Sequence, residues 1–267
     1  MESIMFIIFG TLSILCWLAA SFLAIKQKGR SALIFQTLGI LVFTVFITGL
    51  WITLQRPPFK TMGETRIWYS FFLSVMAGVT YWRWKMDYLL TFTNVLAIVF
   101  VVINICKPEL QSKMLMPALQ SIWFIPHVAI YMFAYAVIGC AFVLGILELF
   151  QYWGVIGRGN TPTNVTAKCD LLIQIGTVAL GIGMCLGAIW AKKAWGQYWS
   201  WDIKEIAALI TWLIFLLYIH LQKLTKISRK FLLIILILGF LSLQFTWYGV
   251  KYLPATKKSP HLFYSTS

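Results

Sequence analysis

Aromatic and charged residues are concentrated between residues 190 and 205, in the order Trp-Ala-Lys-Lys-Ala-Trp-Gly-Gln-Tyr-Trp-Ser-Trp-Asp-Ile-Lys-Glu. If this stretch is helical, positions i, i+3, i+4 and i+7 share one face. Those positions are Trp195, Tyr198, Trp199 and Asp202. The pattern therefore predicts an aromatic shelf that ends in a carboxylate, which suits a large, flat ligand. The alternative is an aromatic belt at the membrane surface, where Trp and Tyr are enriched.

The three histidines, His127, His220 and His261, are the second group that could do chemistry. A neutral imidazole is a common metal ligand. His127 follows Pro126 at the start of an apolar run, and His261 follows the last such run. His220 lies about 15 residues past Glu205, which is roughly 20 Å along a helix. An ionisable residue at that depth indicates a function, but an imidazole that reaches the inner headgroups is the alternative.

Long apolar runs must position these residues. The chain is 60% hydrophobic and only 11% charged, which excludes an ordinary soluble domain. The runs are about 20 residues long, enough to cross a bilayer as helices. We therefore expect an all-α, polytopic integral membrane protein, with one transmembrane domain over 1–267 that comprises N-terminal helices (1–106) and a core (117–267). The eight predicted spans are about 3–25, 31–54, 67–82, 87–106, 127–150, 171–190, 204–222 and 231–250.

The net charge of +14 does not indicate a nucleic-acid partner, because the basic residues are spread through short loops. Anionic lipid, or an anionic ligand in the outer loops, suits them better. The clusters at 26–30 and 223–230 are typical of cytoplasmic turns. However, the 22 Lys and Arg divide evenly between the two sides over all loops. Charge alone therefore does not decide the orientation.

The five cysteines contain no Cys-x-x-Cys pair. Most lie in or beside apolar runs, where a cysteine behaves as a small buried hydrophobe. A Cys-x-x-Cys-His sequence is absent as well, so the chain does not carry covalently attached c-type haem.

The segment 195–205, continued to Trp212, resembles the WWD motif of the haem-handling proteins of cytochrome c biogenesis. Within that CcmF/CcmC/CcsA superfamily it is most similar to the CcsA (ResC) branch. Further stretches agree, namely Pro-Ala-Leu-Gln at 117–120 before His127, Thr-Pro-Thr at 161–163 and Trp-Tyr-Gly-Val at 247–250. The resemblance extends from about Arg56 onward. It implies that the motif faces the outer side, which puts both termini outside.

A bis-histidine haem site is the hypothesis that joins the histidines to the motif, and the resemblance implies the same positions. His127 and His261 would be the axial ligands of the haem iron. The residues along the porphyrin would be Trp195, Gly196, Tyr198, Trp199, Trp201 and Asp202. In the family, an embedded histidine matching His220 is thought to hold haem before it reaches the outer site. The late family motif commonly reads His-Ser-Tyr, whereas this chain has His-Leu-Phe-Tyr from residue 261.

The resemblance implies an integral-membrane subunit of the cytochrome c haem-attachment complex (system II). Haem b would be bound non-covalently as a substrate and presented to the Cys-x-x-Cys-His segment of apocytochrome c. A CcsB (ResB) type membrane partner is expected, because the chain lacks that partner's large outward domain. The expected location is a bacterial cytoplasmic membrane, with a thylakoid membrane as the alternative. No acid–base pair stands out, so the chain's part is positioning haem and controlling its iron rather than supplying a nucleophile.

Two other functions stay open at this level. A CcmC-like protein shares a WWD segment but delivers haem without synthase activity. A transporter for another large anion could use the aromatic residues and outer lysines without iron.

Overall fold

The computed structural model describes residues 2–106, 121–155, 164–224 and 226–253. Every regular element in these ranges is helical and none is a strand, so the predicted all-α class is confirmed. The chain divides into two compact units, Met1–Met116 (unit 1) and Pro117–Ser267 (unit 2). The single transmembrane domain over 1–267 stays a prediction.

Unit 1 is a bundle of four helices joined by short turns. They are α1 (Glu2–Ile25), α2 (Gly29–Leu54), α3 (Met62–Trp84) and α4 (Asp87–Cys106). Gln55 and Lys85 adopt left-handed backbone angles and end α2 and α3. Thr61 begins α3, because its hydroxyl accepts the N–H of Glu64 while the Glu64 carboxylate accepts the N–H of Thr61. Helix α4 packs against both α1 and α3 and closes the bundle.

The described part of unit 2 contains four further helices. They are α5 (Phe124–Tyr152), α6 (Val165–Trp195), α7 (Ile203–Leu221) and α8 (Arg229–Gln244). Helix α8 continues as a π-helical turn (Phe245–Gly249) and a 3-10 turn (Val250–Tyr252). Successive helices run in opposite directions. The start of α5, the end of α6 and the start of α7 therefore lie at one end of unit 2, the motif end. The end of α5, the end of α7 and the starts of α6 and α8 lie at the opposite end.

Seven of the helices described are long and apolar enough to cross a membrane, which confirms a multi-span membrane protein. The exception is α3, predicted at 67–82 and observed at Met62–Trp84. Its ends carry Glu64, Arg66 and Arg83, which lower its mean hydropathy. The number of spans and the outward position of both termini stay predictions.

The largest boundary difference concerns α6. The sequence predicts a span at 171–190, but the helix extends over 31 residues, Val165–Trp195. Its polar first turns are helical because their side chains have partners in unit 2. Thr166 donates to Glu148 at 2.7 Å, and Asp170 accepts from Tyr218 at 2.6 Å. Tertiary hydrogen bonds therefore extend this helix beyond its apolar run.

A buried polar cluster joins the four helices of unit 1. The Gln36 and Asn94 amides pair reciprocally, at 3.1 and 2.8 Å between nitrogen and oxygen. Gln36 also donates to the Ser74 carbonyl at 2.8 Å, and Asn94 donates to the Ser21 hydroxyl at 3.2 Å and the Trp17 carbonyl at 3.3 Å. Gln36 and Asn94 are 1% and 0% exposed. Each amide therefore has partners without water.

Replacing Asn94 with leucine should destabilise unit 1 by about 1–2 kcal/mol, because the buried Gln36 amide loses its partner. Thermal unfolding in detergent, followed by helical circular dichroism, measures the change. The Gln36→Leu/Asn94→Leu double variant should lose less than the sum of the two single variants, since both polar groups are then removed. Thr48→Val is the matched control, because the Thr48 hydroxyl is exposed and bonds only the carbonyl of Thr44 in its own helix. If the double variant loses as much stability as the two single variants together, Gln36 and Asn94 are not coupled.

Candidate functional site

His127 lies in the first turn of α5, half-buried against α6. Its Nδ1 is 2.8 Å from the carbonyl oxygen of Gly183. A carbonyl only accepts, so Nδ1 carries the proton and donates it. In a neutral imidazole the lone pair is then on Nε2. Histidines that bind metals are commonly oriented in this way, by donation from the other ring nitrogen.

Aromatic rings enclose the His127 imidazole. It stacks on Trp190, with ring centroids 5.6 Å apart and an interplanar angle of 22°, and meets the Tyr131 ring edge-on at 4.9 Å. Trp190 is 3% exposed and contacts the rings of Phe124 at 5.1 Å and Trp195 at 4.6 Å. One continuous aromatic cluster therefore joins His127 to Trp195, the first tryptophan of the segment that resembles the WWD motif.

Two glycines of α6 let His127 approach this closely. A Cβ added at Gly187 would lie 2.7 Å from the imidazole Cε1 and 2.8 Å from Nδ1. One added at Gly183 would lie 2.9 Å from the Tyr131 ring. The sequence analysis did not single out Gly183, Gly187 or Trp190. The Gly-x-x-x-Gly spacing in an apolar run is the signal that could have found the glycines.

The predicted helical shelf is wrong. Helix α6 ends at Trp195, because Gly196 adopts a left-handed φ of 81° and caps it. Residues 196–202 are not helical, and α7 begins only at Ile203. Trp195, Tyr198, Trp199 and Asp202 therefore do not form one face of a helix. The first of them packs on the Trp190 ring, whereas Trp199 and Trp201 pair edge-on at 5.9 Å.

Asp202 and Glu205 build the start of α7. The Asp202 carboxylate accepts the backbone N–H groups of Lys204 and Glu205, both at 2.8 Å. The Glu205 carboxylate accepts in return from the backbone N–H groups of Ser200 at 2.8 Å and Asp202 at 3.3 Å. This reciprocal capping fixes the chain as it enters α7. Both acids therefore shape the motif.

The capping role predicts a difference between two variants of Asp202. Asparagine caps helices about as well as aspartate, whereas alanine costs roughly 0.5–2 kcal/mol. Asp202→Asn should thus keep thermal stability close to the parent, and Asp202→Ala should lower it by about that amount without unfolding the protein. Thermal unfolding of the purified proteins measures both effects. Equal losses in the two variants would indicate that the negative charge matters more than the cap.

The six-residue bend 196–201 presents two exposed aromatic side chains, Tyr198 and Trp201, which are 60% and 68% exposed. Trp201 has a left-handed φ of 58°, a conformation that side-chain-bearing residues rarely adopt and that is often found at functional sites. Lys192 stabilises the bend, because its ammonium group donates to the Gly196 carbonyl at 2.8 Å and lies 5.5 Å from the centre of the Tyr198 ring.

Trp199 has an indole donor that finds no acceptor among the described residues. Its indole Nε1 is buried, and no acceptor in the described part of the chain lies within hydrogen-bond distance. A buried donor without an acceptor is unfavourable by about 1–3 kcal/mol. The bend therefore offers one N–H to an acceptor from outside, such as a carboxylate.

The structure separates His220 from this cluster. His220 is exposed in the last turn of α7, at the opposite end of unit 2. Its Nδ1 donates to the Leu216 carbonyl of its own helix at 2.7 Å, which leaves the Nε2 lone pair pointing away from that bond. His261 lies outside the described residues, and its role as second axial ligand stays a prediction.

Comparison with known proteins agrees with this architecture. The family model described as "Cytochrome C assembly protein" matches residues 1–256. The cytochrome c biogenesis protein CcsA of Cuscuta exaltata is 30% identical over 264 residues, covering 86% of each chain. CcsA of Panax ginseng is 30% identical over 263 residues, covering 80% of this chain and 82% of its own. The solved structure of the cytochrome c haem lyase CcmF superposes with a TM-score of 0.74 at 12% identity, over 93% of this chain and 47% of CcmF. This chain thus has the fold of about half of CcmF. It belongs to the cytochrome c assembly protein family, is similar to CcsA, and has a role in cytochrome c maturation.

Proposed function

We propose that this chain is the integral-membrane subunit of a cytochrome c haem-attachment complex. In this proposal the motif end of unit 2 holds haem on the outer side of the membrane and presents it to apocytochrome c. The CcsA likeness and the CcmF fold support cytochrome maturation in general. The residues of the motif end support the more specific assignment to haem.

The observation that carries the proposal is the hydrogen bond from His127 Nδ1 to the Gly183 carbonyl. It fixes the tautomer with a lone pair on Nε2, as a haem iron ligand requires. The stacked Trp190 ring and the close backbone at Gly187 hold the imidazole in one orientation.

The donor at Trp199 also fits haem. Haem has two propionate groups, and a carboxylate that accepts a hydrogen bond from the buried indole N–H would satisfy it. The exposed rings of Tyr198 and Trp201 offer flat apolar contacts to a porphyrin. We propose that His261 supplies the second axial ligand and that His220 receives haem earlier, at the opposite end of unit 2.

In this proposal the chain contributes by positioning haem for the reaction. Haem supplies two vinyl groups, and the two thiols of the apocytochrome Cys-x-x-Cys-His segment add across them to form thioethers. Two axial imidazoles would keep the iron six-coordinate and reduced while this occurs. The residues of the bend orient the porphyrin edge toward the incoming peptide. None of them acts as a nucleophile in this proposal.

A CcsB-type membrane protein is the proposed partner, and a bacterial cytoplasmic membrane is the proposed location. The relatives compared above come from plants, so they do not favour a bacterial membrane over a thylakoid one. Anionic lipid is the proposed environment of the basic turns.

Co-expression with a CcsB-type protein and an apocytochrome tests the proposal. The purified chain should show the Soret and α bands of bis-histidine haem, and the full set should produce cytochrome with covalently bound haem. A haem spectrum without covalent product would assign the chain to haem delivery of the CcmC kind. Absence of any haem spectrum would exclude both haem functions and favour another large anion.

A further inference from the structure

Four ionisable or hydroxyl side chains, one from each helix of unit 2, meet at the opposite end from the motif. They are Glu148 of α5, Asp170 of α6, Tyr218 of α7 and Arg229 of α8, and we call them the inner knot. Arg229 binds Glu148 through two parallel hydrogen bonds of 2.9 Å. It also donates to Asp170 at 2.8 Å and to the Tyr218 hydroxyl at 2.7 Å, and that hydroxyl donates to Asp170 at 2.6 Å.

Stability alone is a weak explanation for the inner knot. The Glu148 and Arg229 side chains are only 6% and 14% exposed, so desolvation offsets much of their attraction. The best-attested use of such buried polar groups is to fix the register of packed helices. In the inner knot, the hydroxyl of Tyr218 bonds α7 to Asp170 of α6 and to Arg229 of α8.

The rotation of α7 determines which way His220 faces. Residues two apart on a helix are about 200° apart around its axis. Tyr218 is fully buried. His220 therefore faces away from the interior of unit 2, and its side chain is exposed. The exposed Leu217 belongs to the same outward face, whereas Ile219 and Leu221 are half-buried.

We propose that the inner knot positions His220, and that Tyr218 is the residue through which it acts. Asp170 and Arg229 hold Tyr218 in the interior of unit 2. This fixes the rotation of α7 about its axis, so that the His220 imidazole faces the surface of the bundle. Haem that reaches His220 therefore binds on the outer face of α7 and not inside unit 2. This last step rests on the proposed haem function, whereas the positioning itself does not.

Tyr218→Phe is the variant that separates positioning from folding. It removes the one hydroxyl, keeps the ring, and leaves the Arg229 bonds to Glu148 and Asp170 in place. Thr211→Val is the matched control, because it removes another buried hydroxyl of α7 that bonds Ser242 of α8 at 2.7 Å and Thr246 of the following π-helical turn at 3.1 Å. Thr211 lies far along α7 from His220, so the control should leave that end unchanged.

Nitroxide labels on α7 measure its rotation about the helix axis, and the measurement does not depend on bound haem. Single cysteines at positions 217, 219, 220 and 221 are labelled in a full-length chain whose five cysteines are replaced by alanine. In the parent, oxygen accessibility at 217 and 220 should exceed that at 219 and 221. Tyr218→Phe should abolish this contrast, and Thr211→Val should preserve it. A contrast that survives Tyr218→Phe would overturn the proposal.

Haem content of the chains with native His220 is measured separately. If Tyr218→Phe loses both the accessibility difference and haem at the His220 end of unit 2, the positioning role and the haem function are both supported. Loss of the contrast with unchanged haem supports the positioning role and removes His220 from the haem path. Failure of the positioning proposal and failure of the proposed haem role of His220 therefore give different results.

Discussion

Replacing His127 with alanine should abolish haem retention by the purified protein and block cytochrome c maturation. The variant removes the Nε2 lone pair that the Gly183 carbonyl directs, and loss of an axial ligand should lower haem affinity by more than about 100-fold, since loss of an orienting group alone costs 10–100-fold. The Soret band of the purified chain and covalent haem staining of the client cytochrome measure the two effects.

Added imidazole should partly restore both readouts, because the deleted side chain leaves a gap beside Trp190 that the free ligand can enter. The matched control is Tyr131→Phe, which keeps the ring that meets His127 edge-on at 4.9 Å. It should retain haem close to the parent level. If His127→Ala keeps the parent spectrum, His127 is not a ligand and the haem site must be sought elsewhere.

The second large effect is expected from Gly187→Ala. The added Cβ would lie 2.7 Å from the His127 ring, a distance that real Cβ atoms do not show, so the imidazole must move away from α6. Because a displaced ligand binds iron poorly, haem affinity should fall by about 10–100-fold, as it does when an orienting group is lost. Alanine is also about 1 kcal/mol better than glycine inside a helix. The loss should therefore occur without helix destabilisation.

Gly49→Ala is the matched control, since Gly49 is also within a helix and a Cβ there would meet nothing within 4 Å. Haem titration and thermal unfolding of the two variants give the comparison. Retained haem affinity in Gly187→Ala would contradict the close packing of His127 on α6. A joint fall in affinity and in unfolding temperature would instead attribute the loss to damaged packing.

Composition was sufficient to predict the class of fold. Apolar runs long enough to span a bilayer form helices because their backbone groups have no other partner in lipid. The predicted α4 coincides with Asp87–Cys106. The WWD resemblance also identified the family. These features depend on long stretches of sequence, so an error at one residue does not alter them.

The backbone conformation of the motif could not be predicted from the spacing of its aromatic residues. Helical periodicity suggested a shelf from Trp195 to Asp202, but one left-handed glycine and one capping aspartate replaced it with a bend. The Asp-x-x-Glu pair before an apolar run was a readable capping signal. The left-handed Trp201 has no local signal. Its conformation depends on how the whole bend closes.

The inner knot could not be predicted from sequence. Arg229 is 81 positions from Glu148 and 59 from Asp170, and a cation near a helix end is usually attributed to the membrane surface. Only the packing of four helices brings these groups together. The basic turn at 223–230 therefore contains a residue that serves the bundle and does not report orientation.

Side chains on both sides of the bend between α6 and α7 hold it closed, because Lys192 donates to the Gly196 carbonyl and Glu205 accepts from the Ser200 backbone N–H. A porphyrin that arrives there would not have to order a loop, so the conformational entropy lost on binding is small. Because no loop has to reopen, a bound porphyrin could also dissociate without a slow conformational step. In the proposed function, a pre-formed bend would therefore allow haem to be exchanged quickly with apocytochrome c.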